Sequence, residues 1–119
     1  MKCLDTYALV EISRGNPGFV QYETEDFLIT DVTLAEFYGV VLREYDGRTA
    51  DYWFQRLAAY SKPVSKELLM EAVKFRHEHR SKRLSFFDCV GYIFARNQRI
   101  PFVTGDKEFH MVEGVEFVK

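Results

Sequence analysis

Short apolar runs alternate along this chain with longer stretches whose apolar residues recur at helical spacing, and that alternation constrains the fold more than any other feature. Residues 2–4, 27–30, 63–64, 102–104 and 115–118 are too short to be helices and are bounded by turn or capping residues, so they are read as buried strands. The first is brief, but Asp5-Thr6 follows it and Tyr7, Ala8, Leu9, Val10 and Ile12 look helical. Residues 14–18, with two glycines, Asn16 and Pro17, read as a loop, and Phe19 and Tyr22 as a short turn or helix after it. After the second strand, Thr33-Leu34-Ala35-Glu36 has capping-box spacing, and Leu34, Tyr38, Val41, Leu42 and Tyr45 share a stripe that ends near Gly47. A third helix is expected over 49–60 with Tyr52, Trp53, Leu57 and Ala58 inward. Ser65 caps a fourth, with Leu68, Leu69, Ala72, Val73 and Phe75 as its core stripe. The order of these elements predicts a three-layer α/β/α sandwich around a mainly parallel sheet of four to five strands, one domain over residues 1–119.

Residues 84–106 hold the densest information. Ser85 and Asp88 have the spacing of a cap and an acid at the third helical position, and Val90, Ile93 and Phe94 continue the helix. Pro101 then opens the strand Phe102-Val103-Thr104, Gly105 ends it, and Asp106 stands just past its carboxyl end. Two acids are thus placed where a helix starts and where a neighbouring strand stops. Asp5 has the same setting after the first strand, and Glu36 follows the second. In an open parallel sheet, strand ends and helix starts share one edge, which is where ligands bind.

Each acid alone is explained by helix capping, which is worth about 1 kcal/mol. All four on one edge are not. Two carboxylates about 5 Å apart repel by roughly 3 kcal/mol at an effective dielectric near 20. Such a cluster requires a cation or strongly raised pKa values. Oxygen ligands alone favour Mg²⁺ or Mn²⁺ over zinc.

Composition removes several classes. An apolar fraction of 47% with 19 aromatic residues belongs to a folded protein. No run of 18 apolar residues exists, and the first residues do not form a signal peptide, so a cytoplasmic protein is expected. Cys3 and Cys89 form neither a disulfide framework nor a zinc site and read as reduced core thiols. The net charge of −2 is a weak guide, because masking four carboxylates would turn it to +2.

The motifs Leu4-Asp5-Thr6, Thr33-Leu34-Ala35-Glu36, Leu84-Ser85-Phe86-Phe87-Asp88 and Val103-Thr104-Gly105-Asp106, in this order, resemble those of the PIN-domain family. Within it the chain looks most like the small VapC-type toxins, over essentially its whole length. The resemblance implies a parallel sheet flanked by helices and a Mg²⁺- or Mn²⁺-dependent ribonuclease site formed by Asp5, Glu36, Asp88 and Asp106. It matches Thr104 to a threonine that would orient the last acid or a bound water. It also implies an RNA substrate and an antitoxin partner. The family often has a small polar residue after the Asp-Thr pair, where this chain has Tyr7, which bears on how open the groove is.

Other residues divide between functional and structural readings. Arg76, Arg80, Lys82, Arg83, Arg96 and Arg99 flank the Asp88 helix and either bind RNA phosphates or form a solvated face. His77 and His79 lack zinc-pair spacing and read as surface residues, His110 as a structural loop residue, and Cys89 as core. Tyr38, Tyr45, Tyr52, Trp53 and Phe54 supply core or a homodimer or antitoxin surface. Three alternatives to a toxin remain: a non-catalytic binding module, an RNA-processing nuclease without an antitoxin, and a phospho-acceptor receiver domain.

Overall fold

The computed structural model describes residues 1–119. Five strands form one sheet: β1 (Lys2–Leu4), β2 (Phe27–Thr30), β3 (Ser61–Lys62), β4 (Phe102–Thr104) and β5 (Val115–Phe117). Six helices connect them: α1 (Thr6–Ser13), α2 (Pro17–Thr24), α3 (Asp31–Glu44), α4 (Gly47–Leu57), α5 (Lys66–Glu78) and α6 (Phe86–Gln98). The strand order is β3-β2-β1-β4-β5 and every pairing is parallel. This is the expected three-layer sandwich, and its five strands sit at the upper end of the expected range. The order also departs from the 2-1-3-4-5 arrangement of receiver domains, which removes that alternative.

Strand alternation splits the core between the two faces. Leu4, Ile29 and Val103 join Leu9, Phe19, Phe37 and Val41 on the α1–α4 side. Cys3 and Phe102 join Ala72, Val90, Ala95 and Phe109 on the α5–α6 side. Gly91 lets α6 approach the sheet: a Cβ there would stand 2.9 Å from the Phe102 ring. The Cys3 thiol reaches the Gly91 carbonyl across the same contact, at 3.7 Å. No helix is long and apolar enough to cross a membrane.

Several local expectations are corrected. The third strand is Ser61–Lys62, not 63–64, pairing Ile29 with Ser61 and Thr30 with Lys62. Pro63 lacks the N–H a ladder needs, so pairing stops before it. Pro17 starts a full helix, α2, as a proline at the first helical position readily does, with Asn16 as its cap. Helix α3 begins at Asp31, capped by the Thr30 hydroxyl, which accepts the Thr33 N–H at 3.0 Å. Thr33 is therefore inside the helix, and Glu36 belongs to the second turn rather than the first. On α4, Ala50 and Leu57 are buried and Trp53 is half-buried, whereas Tyr52 and, just past the helix, Ala58 are exposed. Val73 on α5, Leu42 on α3 and Tyr45, which caps the end of α3, are exposed as well. Both cysteines are buried and unpaired.

Candidate functional site

β1 and β4 are adjacent and parallel, with Leu4 opposite Val103, so the residues that follow them emerge at the same edge. Asp5 is the first. Its N–H donates to the Val103 carbonyl at 3.2 Å, and its Oδ1 accepts the Ala8 N–H at 2.8 Å, capping α1. The side chain is thereby fixed in the interior: Asp5 is 1% exposed, and its Oδ2 has no hydrogen-bond partner within the chain. An orphaned carboxylate oxygen in the interior costs more than a cap returns.

Asp106 arrives from β4. Thr104 Oγ accepts the Asp106 N–H at 3.0 Å, and Asp106 Oδ1 accepts the Glu108 N–H at 3.0 Å, capping the short turn 107–109. Thr104 thus holds the backbone of the last acid rather than its carboxylate, while its hydroxyl also favours the ionised form of Asp5 without making a well-formed hydrogen bond to it. Gly105, between them, is buried against the Tyr7 ring and the Val118 carbonyl, where no Cβ would fit. Tyr7 also packs on Phe19 at 5.8 Å between ring centroids, so its ring is part of the packing of that face.

Asp88 comes from the other layer. Ser85 Oγ accepts its N–H at 3.0 Å, as the sequence spacing requires. Glu36 is brought in by a contact that sequence reasoning missed: the Thr6 hydroxyl, one residue past Asp5, donates to Glu36 Oε1. No local signal announces a bond between residues thirty positions apart.

The four acids act on one another electrostatically. Burial pushes Asp5 well above the ordinary carboxylate range, the Asp88 charge raises it further, and Asp106 adds to the effect. Hydrogen bonding from the Ala8 N–H and the nearby Thr104 hydroxyl oppose the shift without cancelling it. Asp88 is pushed up to about 7, first by burial, then by Glu36 and more weakly by Asp106, with Ser85 pulling it back. The arrangement brings Asp5, Asp88 and Asp106 into mutual range and links Glu36 to Asp88. It does not close them into a cage, since no three acidic, histidine or cysteine side chains converge as a complete ligand set. An open set of oxygen donors suits Mg²⁺, which keeps several waters and takes only one or two carboxylates directly. The unpartnered Asp5 Oδ2 is the observation that fits such an ion best.

Of the remaining candidates, Cys89 is a poor nucleophile: burial raises its thiol to about 11, with Asp88 adding to the shift. His79 is half-buried rather than on the surface: its Nδ1 lies 2.8 Å from the Phe75 carbonyl and its ring lies over Phe75. His110 packs on Phe117, with ring centroids 4.8 Å apart.

A family profile for the PIN domain matches residues 2–115, and the chain belongs to that family. Among solved structures, the chain is similar to Mycobacterium tuberculosis VapC20, described as a sarcin–ricin-loop-cleaving toxin. The two share 18% identity with all of each chain covered and a TM-score of 0.84. It is also similar to a chain of a toxin–antitoxin complex from Klebsiella pneumoniae, at 18% identity, 98% and 96% coverage and a TM-score of 0.76. A third likeness is to FitAcB from Neisseria gonorrhoeae, at 20% identity, 98% and 96% coverage and a TM-score of 0.69. These are likenesses of fold. A comparison with curated proteins finds no sequence match.

Proposed function

We propose that this chain is a metal-dependent endoribonuclease acting in the cytoplasm as the toxin of a toxin–antitoxin pair. The observation that carries the proposal is the buried, unpartnered oxygen of Asp5 beside a second carboxylate, Asp88, that burial and neighbouring charge push up to about 7. A fold gains nothing from holding two acids in this way, and an incoming divalent ion relieves both. Membership of the PIN-domain family and fold relatives named as toxins support the same reading.

Asp5, Glu36 and Asp88 would hold the principal ion, and Asp106 would complete the set through water or help hold a second. Bound Mg²⁺ or Mn²⁺ supplies a water of lowered pKa and neutralises charge that develops on the phosphate oxygens during hydrolysis. The chain's own part is positional. The Ala8 N–H fixes Asp5, the Ser85 cap fixes Asp88, Thr6 holds Glu36 and Thr104 holds the Asp106 backbone. Asp5 and Asp88 must also release the protons that their surroundings favour before they can serve as ligands. Incubation with RNA and Mn²⁺ tests the proposal. The native chain is expected to cut internally and Asp5→Asn to fail; equal cleavage by both removes the reading.

One observation favours a second reading, a non-catalytic binding module: Asp5 and Asp106 do cap the turns that follow them. Such a module would show no Asp5-dependent stabilisation by Mn²⁺. The partner proposal is an antitoxin protein and a homodimer. Exposed Tyr45 at the end of α3, with Tyr52 and Phe54 on α4, offers an aromatic surface for such contacts. Co-purification with the product of an adjacent small reading frame separates the toxin from an RNA-processing nuclease without an antitoxin, and light scattering tests the dimer.

A further inference from the structure

A rim of carboxylates repels a polyanion, so a nuclease built on it needs a cationic approach. Two grooves carry arginines. The first, about 690 Å³, lies between the end of α5 and the start of α6, lined by Arg76, Arg80, Lys82 and Arg83 and reaching Ser85 and Phe86. The second, about 710 Å³, lies at the far end of α6 and places Arg96 and Arg99 beside Glu116.

The grooves differ in how far their charge is neutralised. In the second, Arg96 pairs with Glu113 at 3.6 Å and Glu116 adds a carboxylate to the wall. In the first, none of the four cations forms an ion pair and no acid lines the wall. Their hydrogen bonds go to neutral carbonyls: Arg76 Nε to Leu84 at 2.9 Å, Arg80 Nη1 to His77 at 2.9 Å and Lys82 Nζ to Glu108 at 3.2 Å. The Glu108 carboxylate takes the backbone N–H of Arg83 at 3.1 Å, not its guanidinium. Basic residues at a helix C-terminus also complement the helix dipole, which explains Arg76 and His77 but not Lys82 and Arg83, which lie beyond the last turn of α5.

Position gives the charge a purpose. Ser85 caps α6, and Asp88 stands three residues further on, about 4.5 Å along the axis. The cationic groove therefore ends where the acidic rim begins. Phe87 follows the groove-lining Phe86 in the chain and precedes Asp88; it is 39% exposed and edge-on to Phe86 at 6.4 Å between ring centroids. Uncompensated cations in a groove whose aromatic wall, Phe86, packs on an exposed ring supply what a single strand requires: backbone neutralisation and a face for a base.

We infer that the first groove, and not the Arg96–Arg99 groove, is the track along which a single-stranded RNA reaches the acids, with Phe87 stacking against a base. The inference rests on the nuclease reading for its substrate. The test is fluorescence anisotropy of a labelled single-stranded RNA with the native chain in EDTA, over a range of salt concentrations.

Arg80→Ala/Arg83→Ala should bind several-fold more weakly, with a salt slope shallower by about 1.4, because each phosphate neutralised on a single strand adds about 0.7 to it. Arg83→Lys should keep the native slope. Phe87→Ala should bind at least about fivefold more weakly with the slope unchanged, because stacking releases no counterions. Arg96→Ala/Arg99→Ala should stay within about twofold of native. Circular dichroism and melting verify folding; should the double variant unfold, Arg83→Ala alone is the test, since that side chain makes no hydrogen bond, with an expected slope change of about 0.7.

An unchanged slope in the groove variants, an equal loss at Arg96 and Arg99, or no RNA binding at all overturns the inference. Poly-glutamate at equal charge should bind more weakly and ignore Phe87→Ala; binding as tight as RNA would reassign the groove to an acidic protein and overturn it too. RNA bound through this groove but left uncut with Mn²⁺ would sink the nuclease reading alone. Groove variants that bind and cleave RNA as the native chain does would sink the track alone.

Discussion

β1 has an ionisable residue at each end, and the carboxylates found there are treated in opposite ways. At its start, Lys2 donates to Glu116 at 3.0 Å and lies over the Tyr22 ring, and the Tyr22 hydroxyl donates to the same carboxylate. Burial pushes Glu116 up, but the hydrogen bonds from Tyr22 and Lys2 outweigh it and leave the carboxyl below its ordinary range. At the other end, Asp5 has one backbone N–H, no cation and acidic neighbours, and burial drives it well up. This fold can satisfy a half-buried carboxylate when the purpose is structural. That it does not do so at the carboxyl edge of the sheet is what the proposed divalent ion would account for.

The largest effect that would break this contrast lies in activity. Asp5→Asn is expected to lower RNA cleavage by about a thousandfold, the scale of losing a key electrostatic group at a reacting centre. The same substitution keeps the cap and cannot ionise, so it should raise the melting temperature of the metal-free protein increasingly as pH rises and Asp5 would otherwise be forced to lose its proton. A melting temperature that falls as activity is lost would make Asp5 a structural residue.

Next in size is pH. Asp88 is raised to about 7 in the fold from an ordinary 3.8, so between those values the native state holds more protons than the unfolded one. Its contribution to stability is therefore greatest below about 4 and declines as pH rises through 7, by up to about 4 kcal/mol. Metal-free denaturant titrations from pH 4 to 8 should show the decline, and saturating Mn²⁺ should flatten it. A flat metal-free profile would mean that Asp88 is not held against its neighbours.

Glu116→Ala sharpens the contrast from the other side. It should destabilise the fold by about 2 kcal/mol, because the buried Tyr22 loses the acceptor of its hydroxyl and half-buried Lys2 keeps only its longer pairing with Glu25 at 3.5 Å. Specific cleavage per folded molecule should not change, as thermal melts combined with initial rates will show. The smallest effect is expected at Thr6→Val, which frees Glu36 and should weaken Mn²⁺ binding by about tenfold, as loss of a hydrogen bond behind a metal ligand commonly does.

What the sequence disclosed and what it withheld follow the range of the interactions involved. Asp5, Asp88 and Asp106 were legible because each stands beside a local punctuation mark, a strand end or a Ser cap, that a few neighbouring residues define. The parallel sheet followed from the alternation of elements. Glu36 was found as a residue but misplaced by a turn, because Thr30 and Thr33 are both competent caps and only the β2 ladder decides between them. The Thr6–Glu36 bond and the Lys2–Tyr22–Glu116 cluster join residues far apart in the chain and leave no periodic trace. The faces of α4 were misread for a different reason. A helix at the margin of a layer, with Tyr52, Trp53 and Phe54 consecutive, carries aromatic residues on every side, so spacing alone does not separate core from surface.

The central claim, that the acids are held together for a divalent ion, is tested most directly by calorimetric titration of Mn²⁺ into the metal-free protein near pH 7, in two buffers of different ionisation enthalpy. Saturable binding with release of protons, from carboxyls that are protonated before the ion arrives, is the expected result, and Asp5→Asn should abolish it. Absence of binding, or binding that releases no proton and is indifferent to Asp5→Asn, would contradict it.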